Sequence, residues 1–537
     1  MRRRVSRLPR RAVGALVATV CLAAGTGTGT GASAGAVAGR AAGAGAARAV
    51  QIEKVATTAA RGLGEPAAAR DATASAVTAT RFDAAGARAA VWAERAGTTT
   101  WRQAGSVLPA GFGTSYDPAA AAAPGGPLLV VAGTAPSGQS CIANGSVAIA
   151  NVDSKGRLGA ARLVSDQRGT GSFDDRPMVA VGQHDTVWVA WSQGPNADAC
   201  QDVGLGDRIE VAVSHDGGQT FGAPAAMPAD GGHSAFGVRL APLPGGVAVS
   251  WTETMASGDE AVLVSVLGTD GKPGQPQQVL TGGGPPLILP GASFYDFPAG
   301  DIVALPDGKL VVTAPFWVSG RSVLKLAVGV PGERWRTADL RPPAGADLLL
   351  PALGLLSSGD VRVLCAVHTR LGDHLGYDVA DLSVAGQGVS VTSAGLAALT
   401  PAPAGPGLFE IGEELSLAHT SGGLLAAIVV AGKDGATLET VAFKAPVPAA
   451  PAGKAGTPAS GTSGTPTSGT PAASTRSASG GTSTAQAANG GWFGSGTTAA
   501  LVAAAVLFCS AVVLVAWLAR RRRPRPGGHK RTTRLDR

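Results

Sequence analysis

Three observations predict an all-β fold, a β-propeller of six or seven blades. Short β-branched runs separated by Gly, Asp and Pro turns fill residues 76–445, among them Thr186-Val187-Trp188-Val189-Ala190-Trp191, Val247-Ala248-Val249-Ser250-Trp251 and Leu310-Val311-Val312-Thr313. Gly and Pro number 78 and 36 of 537 residues, which disfavours long helices, and no segment before residue 499 keeps an amphipathic helical period. The third observation is a repeat. Tyr116-Asp117-Pro118, Phe173-Asp174-Asp175-Arg176-Pro177 and Tyr295-Asp296-Phe297-Pro298 each stand before an apolar run, at spacings of about 60 residues or twice that. Weaker anchors at Gly237, Pro351 and Gly412 extend the series to six. Four strands within each repeat is the content of one propeller blade.

One turn sharpens the reading. Ser214-His215-Asp216-Gly217-Gly218-Gln219-Thr220-Phe221 follows the run Ile209-Glu210-Val211-Ala212-Val213 and leads into Gly222-Ala223-Pro224. Asp and Gly there make a tight turn whose carboxylate bonds the backbone, with the aromatic packed beneath. The stretch matches S-x-D-x-G-x-T-F, and from Asp174 to Pro224 the chain resembles the sialidase-like propellers that carry this Asp-box. Gly97-Thr98-Thr99-Thr100-Trp101 and Gly332-Glu333-Arg334-Trp335 read as degenerate copies. The resemblance implies a folding role for Ser214, Asp216, Gly218, Thr220 and Phe221, remote from any active centre.

The ends have a different character. Arg2, Arg3, Arg4, Arg7, Arg10 and Arg11, the apolar run Ala12–Ala24 and the small residues Ala32-Ser33-Ala34 predict a signal peptide over 1–34. Residues 35–75, rich in Ala, Gly and Arg, read as a loose segment. Residues 446–491 are almost wholly Ala, Gly, Pro, Ser and Thr and predict a disordered stalk with an r.m.s. span of roughly 35–40 Å. Ala499–Ala519 is uncharged and long enough for one C-terminal transmembrane helix, and Arg520–Arg523 open a basic tail over 520–537. The tail is therefore expected in the cytoplasm and the N-terminal domain outside the cell membrane. Without the two basic ends, 29 basic residues face 36 acidic ones, so the formal charge of +7 does not indicate a nucleic-acid face.

The chemistry is sparser. Tyr116, Asp117, Asp174, Asp175, Arg176, Tyr295, Asp296, Glu410 and Glu413 share a position before the first strand of a blade, which predicts a ligand-binding cluster at one mouth of the axial channel. The competing reading is capping of strand ends. His184, His368, His374 and His419 lack metal spacing, and Asp198, Asp202 and Asp207 fit no recognised calcium pattern, so no metal or cofactor is expected. Cys365 falls on a buried strand face, whereas Cys141 and Cys200 lie in polar loops of an exported chain and are expected to pair. A sialidase-like enzyme would need three arginines, a Tyr–Glu pair and an Asp acid/base. Arg176-Pro177 and Arg341-Pro342 echo the first arginine motif only in part. The expectation is a membrane-anchored, non-catalytic binding, adhesion or scaffold module for a glycan or an extracellular protein; the alternative is an anchored exo-glycosidase with a diverged site.

Overall fold

The computed structural model describes residues 50–444 except 59–61, 84–85, 99, 123–125, 139–141, 197–207, 229–233, 287, 293–297, 373, 383, 385–396, 404–414, 421–422 and 433–434. The signal segment, stalk, membrane span and tail read from the sequence lie outside the described residues. Seven antiparallel four-stranded sheets form a seven-bladed propeller. Blade I comprises β2 (Leu63–Arg70), β3 (Ala74–Asp83), β4 (Gly86–Arg95) and β5 (Arg102–Ser106), and blade II β6 (Phe112–Ala122), β7 (Leu128–Pro136), β8 (Ser146–Val152) and β9 (Arg162–Leu163). Blade III holds β10 (Ser172–Val181), β11 (Val187–Pro195), β12 (Arg208–Ser214) and β13 (Ala225–Ala226). Blade IV holds β14 (Ser234–Leu243), β15 (Gly246–Thr254), β16 (Asp259–Gly268) and β17 (Gln277–Gly283). Next come blade V, with β18 (Asp301–Ala304), β19 (Leu310–Val318), β20 (Arg321–Gly329) and β21 (Arg336–Leu340), and blade VI, with β22 (Ala346–Leu355), β23 (Val361–Thr369), β24 (His374–Leu382) and β25 (Ala397–Pro403). Blade VII takes β26 (Leu417–Thr420), β27 (Gly423–Gly432) and β28 (Gly435–Lys444) from the C-terminal side and β1 (Val50–Thr58) as its outer strand.

The count is seven, the higher of the two expected. One expectation is corrected: the propeller begins at β1 rather than at residue 76, so the stretch 35–75 contains two complete strands. Blade I escaped notice because its inner strand is built from small residues: Ala67, Ala68 and Ala69 are all buried. Its anchor, Glu65-Pro66, nonetheless repeats Asp117-Pro118 and Arg176-Pro177.

Both faces of each blade are covered, which explains why the strands read as continuous apolar runs. On β11, Val187, Val189 and Trp191 pack against blade II, while Trp188 and Ala190 pack against blade IV. Equivalent clusters fill every other junction, including VII against I through Leu425, Leu438, Val77 and Trp92. Trp188 and Trp191 are 1% and 0% exposed, and burying a large apolar side chain contributes roughly 1.5–3 kcal/mol.

Inner strands share one irregularity. Glu65, Asp117, Arg176, Gly237 and Leu350 adopt positive φ of 45–63°, each at a register shift, and in all but the Gly237 case a proline follows. Proline has no N–H to give the ladder, so the bulge takes it out of pairing. Inner strands begin at what is termed here the entrance face and end at the exit face. Antiparallel order then puts the first-to-second and third-to-fourth turns on the exit face. Their contacts agree: Ala96 N donates to Thr73 O at 2.8 Å and Gly217 N to Asp185 O at 2.9 Å.

Polar ties also cross the junctions. Tyr377 Oη donates to Val429 O at 2.9 Å between blades VI and VII. Between V and VI, the fully buried Asp347 accepts Ser322 N–H at 2.8 Å and both Nε and Nη2 of Arg370 at 2.7 Å. Burial alone would raise the Asp347 carboxyl, but hydrogen bonding with His368, Arg370 and the Ser322 N–H outweighs it and holds the group at about 2. Its stabilisation is therefore complete above pH ~4 and lost as pH falls through about 2, a change on the order of 2 kcal/mol. Asp347→Asn should remove that acid-side slope from unfolding free energies measured in urea between pH 5 and 2; an unchanged slope would show the group is not so held.

Candidate functional site

Five of the nine residues predicted for the mouth come together where blades II and III meet. Tyr116 on β6 is 9% exposed, and its ring fills the space where a side chain on Gly133 would stand, 2.5 Å from a Cβ built there. Gly145 makes room for the hydroxyl in the same way, with a built Cβ 2.8 Å from Oη. Among the described residues that hydroxyl has no hydrogen-bond partner. Burial drives its pKa well above the ordinary tyrosine value, the carboxylates of Asp175, Asp117 and Asp174 push the same way, and Arg176 opposes them.

Asp174, fully buried on β10, accepts Gln193 Nε2 at 2.8 Å and Gln167 Nε2 at 3.0 Å. Burial raises its carboxyl above the usual range, against hydrogen bonds from Ser165, Gln193 and Gln167. Asp175 and Arg176 are 3% and 7% exposed and stand 3.6 Å apart. Asp117 N–H donates to the Glu65 carboxylate at 2.9 Å, which links the cluster to blade I. Tyr295, Asp296, Glu410 and Glu413 lie outside the described residues. The connections carrying them, from β17 to β18 and from β25 to β26, start and finish on the entrance face.

The sequence reading missed two charged groups that line the axial cavity, Arg239 and Asp301, and the buried Glu65 on the inner strand of blade I. A cavity of about 340 Å³ runs along the axis, walled by inner-strand residues of all seven blades. On resuming the ladder after the bulge, blades I, II, III and VI place Ala67, Ala119, Met178 and Ala352; blade IV places Arg239. In blade V the ladder opens on Asp301. Arg239 Nε and Asp301 Oδ1 are 4.0 Å apart, with side chains 6% and 15% exposed. Asp301 also accepts N–H from Leu353 at 2.6 Å and Ile302 at 2.8 Å. Burial outweighs these partners and lifts its carboxyl to about 6. A signal existed: a lone charge inside Val238-Arg239-Leu240 and another opening Asp301-Ile302-Val303.

The Asp-box lies elsewhere, on the exit face between β12 and β13. Asp216 Oδ1 accepts Ser214 Oγ at 2.7 Å, Gln219 N at 2.8 Å and Thr220 N at 2.9 Å; Oδ2 accepts Thr220 Oγ1 at 2.6 Å. The Thr220 hydroxyl and N–H, with Ser214, hold its carboxyl well below the ordinary range. Gly217 and Gly218 take φ of 71° and 80°, Gly218 N–H donates to Ser214 Oγ at 2.9 Å, and Phe221 packs into the II–III junction. Gly97–Trp101 and Gly332–Trp335 occupy the same third-to-fourth-strand turn in blades I and V. Cys365 is fully buried, and burial pushes its thiol up, which suits an inert core group. Cys141 and Cys200 lie outside the described residues, but the loops that carry them are tied by Asn144 N to Asn196 Oδ1 and Asn196 Nδ2 to Asn144 Oδ1, both 2.8 Å.

No protein-family model matches this chain, and no curated protein does. Among solved structures it is distantly similar to an ulvan lyase of polysaccharide lyase family PL25, at 10% identity and a TM-score of 0.46, covering 73% of this chain and 95% of that one. Puromycin hydrolase gives 18% identity and 0.42, covering 69% and 50%, so this chain spans half its length. A Hadza microbial sialidase gives 11% and 0.40, covering 68% and 75%.

Because four of the box's bonds end on one carboxylate, Asp216→Ala should lower the melting temperature measured by calorimetry. Asp216→Asn, which keeps an acceptor oxygen, should recover part of the loss; equal melting of all three proteins would remove the folding role.

Proposed function

We propose that this chain is a cell-surface, membrane-anchored propeller that binds a glycan or an extracellular protein at its entrance face without catalysing a reaction. The carrying observation is where the chain enters and leaves the ring. β28 runs parallel to its blade's inner strand and ends at the exit face; β1 pairs antiparallel to it, Val50 beside Phe443, and starts there. A stalk over 446–491 leading to a span over 499–519 would then continue from a strand that ends at the exit face. The entrance face, which carries the Tyr116–Arg176 cluster, is the face from which no chain end departs among the described residues.

Burial counts against two of the three tyrosines as nucleophiles; the third, Tyr295, lies outside the described residues. Tyr116 and Tyr377 are 9% and 0% exposed, and burial moves both hydroxyls away from the ionised form a nucleophile requires. In this reading Cys141 and Cys200 form a disulfide that, with the Asn144–Asn196 pair, fixes the rim over blades II and III. Non-reducing peptide mapping of the natively exported chain should find that link, and two alkylatable thiols would discard it.

Protease added to intact cells should release the propeller and leave the tail protected; the opposite pattern would reverse the orientation. The full chain on a glycan array and against immobilised extracellular proteins should give a signal that Arg176→Lys, which keeps a positive charge beside the buried Asp175, weakens with a smaller loss of melting temperature than Arg176→Ala. Release of a fluorogenic sialoside by the native chain would defeat the non-catalytic reading in favour of the exo-glycosidase.

A further inference from the structure

We propose that the connection from β17 to β18 is a pH-operated latch on the entrance face, closed while the Glu260 carboxyl is protonated and released when it ionises. This strap, described over 284–286 and 288–292, leaves the outer strand of blade IV and reaches blade VI before returning to the inner strand of blade V. Leu289 is its plug. At 1% exposure it packs with Leu349 and Leu375 of blade VI and with Leu415, which also lines the axial cavity. Ala292 N donates to Leu289 O at 3.0 Å, and a Cβ built on Gly291 would stand 3.4 Å from Arg370 O. Pro286, Ile288 and Pro290 are exposed, so Leu289 and the buried Pro285 supply most of the strap's apolar burial among the described residues.

The near end is held by a carboxyl. Glu260 on β16 faces Gly282 across the ladder, and its carboxyl folds over the chain at Gly284. Both oxygens crowd the position a Cβ there would take, Oε2 at 2.9 Å, so only glycine lets strap and carboxyl lie so close. Among the described residues this carboxyl has no hydrogen bond and no ion pair. The charges around it are committed elsewhere. Lys325 of β20 donates Nζ to Thr281 O at 2.7 Å and lies over the Phe316 ring. Asp259 accepts Ser257 Oγ at 3.0 Å, and Arg370, beneath the far end of the strap, is bound to Asp347. Glu253 on β15 points to the opposite face of the blade and accepts Trp251 Nε1 at 2.9 Å. A neutral carboxyl can rest in such a place; a carboxylate needs water there, which reaches it once Gly284 lifts away.

Burial accordingly raises Glu260 to about 8, against an ordinary value of 4.5 that it regains when the strap is open. The closed form keeps its proton where the open form has lost it. Opening is therefore favoured about tenfold per pH unit between roughly 4.5 and 8, and is flat on either side. The latch follows from packing at blades IV to VI and does not depend on what the entrance face binds. The test is amide hydrogen exchange of the full chain in detergent from pH 5 to 8, corrected for the intrinsic pH dependence of exchange. Peptides covering 281–292 should lose protection by up to tenfold per pH unit while those of blade III keep theirs. Glu260→Gln, which stays neutral, should flatten the profile and remain protected at pH 8. Gly284→Ala, which evicts the carboxyl, should leave the strap poorly protected already at pH 5. Should Glu260→Gln fail to melt cooperatively, Glu260→Met takes its place with the same expectation. A flat profile in the native chain, a slope that survives replacement of Glu260, or one shared equally by blade III overturns the proposal.

Discussion

The structure depends on the fact that each blade has two apolar faces and no way to cover either by itself. A sandwich of two sheets would leave its outer faces wet, and residues such as Val187 and Trp188, neighbours on one strand pointing opposite ways, forbid that. Only a ring supplies a neighbour on both sides of every sheet. Residues at the VII–I junction, Leu425 and Val77 among them, pack as the others do because the circle closes there. The interior is thus seven similar interfaces rather than one central core.

Ring geometry also decides where polar groups stand. Inner strands converge on the axis and their inner edges have no strand partner, so side chains must answer their N–H groups. Ser416 accepts Ala68 N–H at 3.1 Å across the VII–I junction, Asp301 accepts Leu353 N–H across V–VI, and Glu65 accepts Asp117 N–H across I–II. Acid and hydroxyl groups near the axis are therefore partly structural. This tempers the mouth cluster too: Asp174 has donors enough to explain its burial, whereas Tyr116, with a buried hydroxyl lacking a partner among the described residues, is less easily accounted for by folding.

Much of the architecture was legible because turn chemistry is local. Asp216 and its glycines announced their turn, and the prolines at 118, 177 and 351 marked bulges that recur by necessity. Blade I was hidden because Ala67–Ala69 pack where space is tightest, and alanine at a crowded axis has the same composition as alanine in a loose leader. The grouping of Tyr116 with Asp174, Asp175 and Arg176 could be read from shared blade position. The Arg239–Asp301 pair could not, since the two lie 62 positions apart and only the ring brings adjacent inner strands together. Whether a charge in a strand faces the axis or a neighbouring blade depends on register, which the bulges shift.

The borrowed strand in blade VII governs the order in which the molecule can be completed. Thr440 Oγ1 reaches Glu53 O across 387 positions, so β1 has no partner until nearly the whole propeller has been made. Closing a loop of that length costs roughly 5 kcal/mol in chain entropy, offset only when the VII–I interface forms together with the strand pairing. A chain delivered from its N-terminus must keep β1 unpaired while blades I to VI assemble, with an open sheet edge waiting for it. Pairing of β1 with β28 closes the ring, and a truncation that removes β26 to β28 would leave an arc with two unprotected ends.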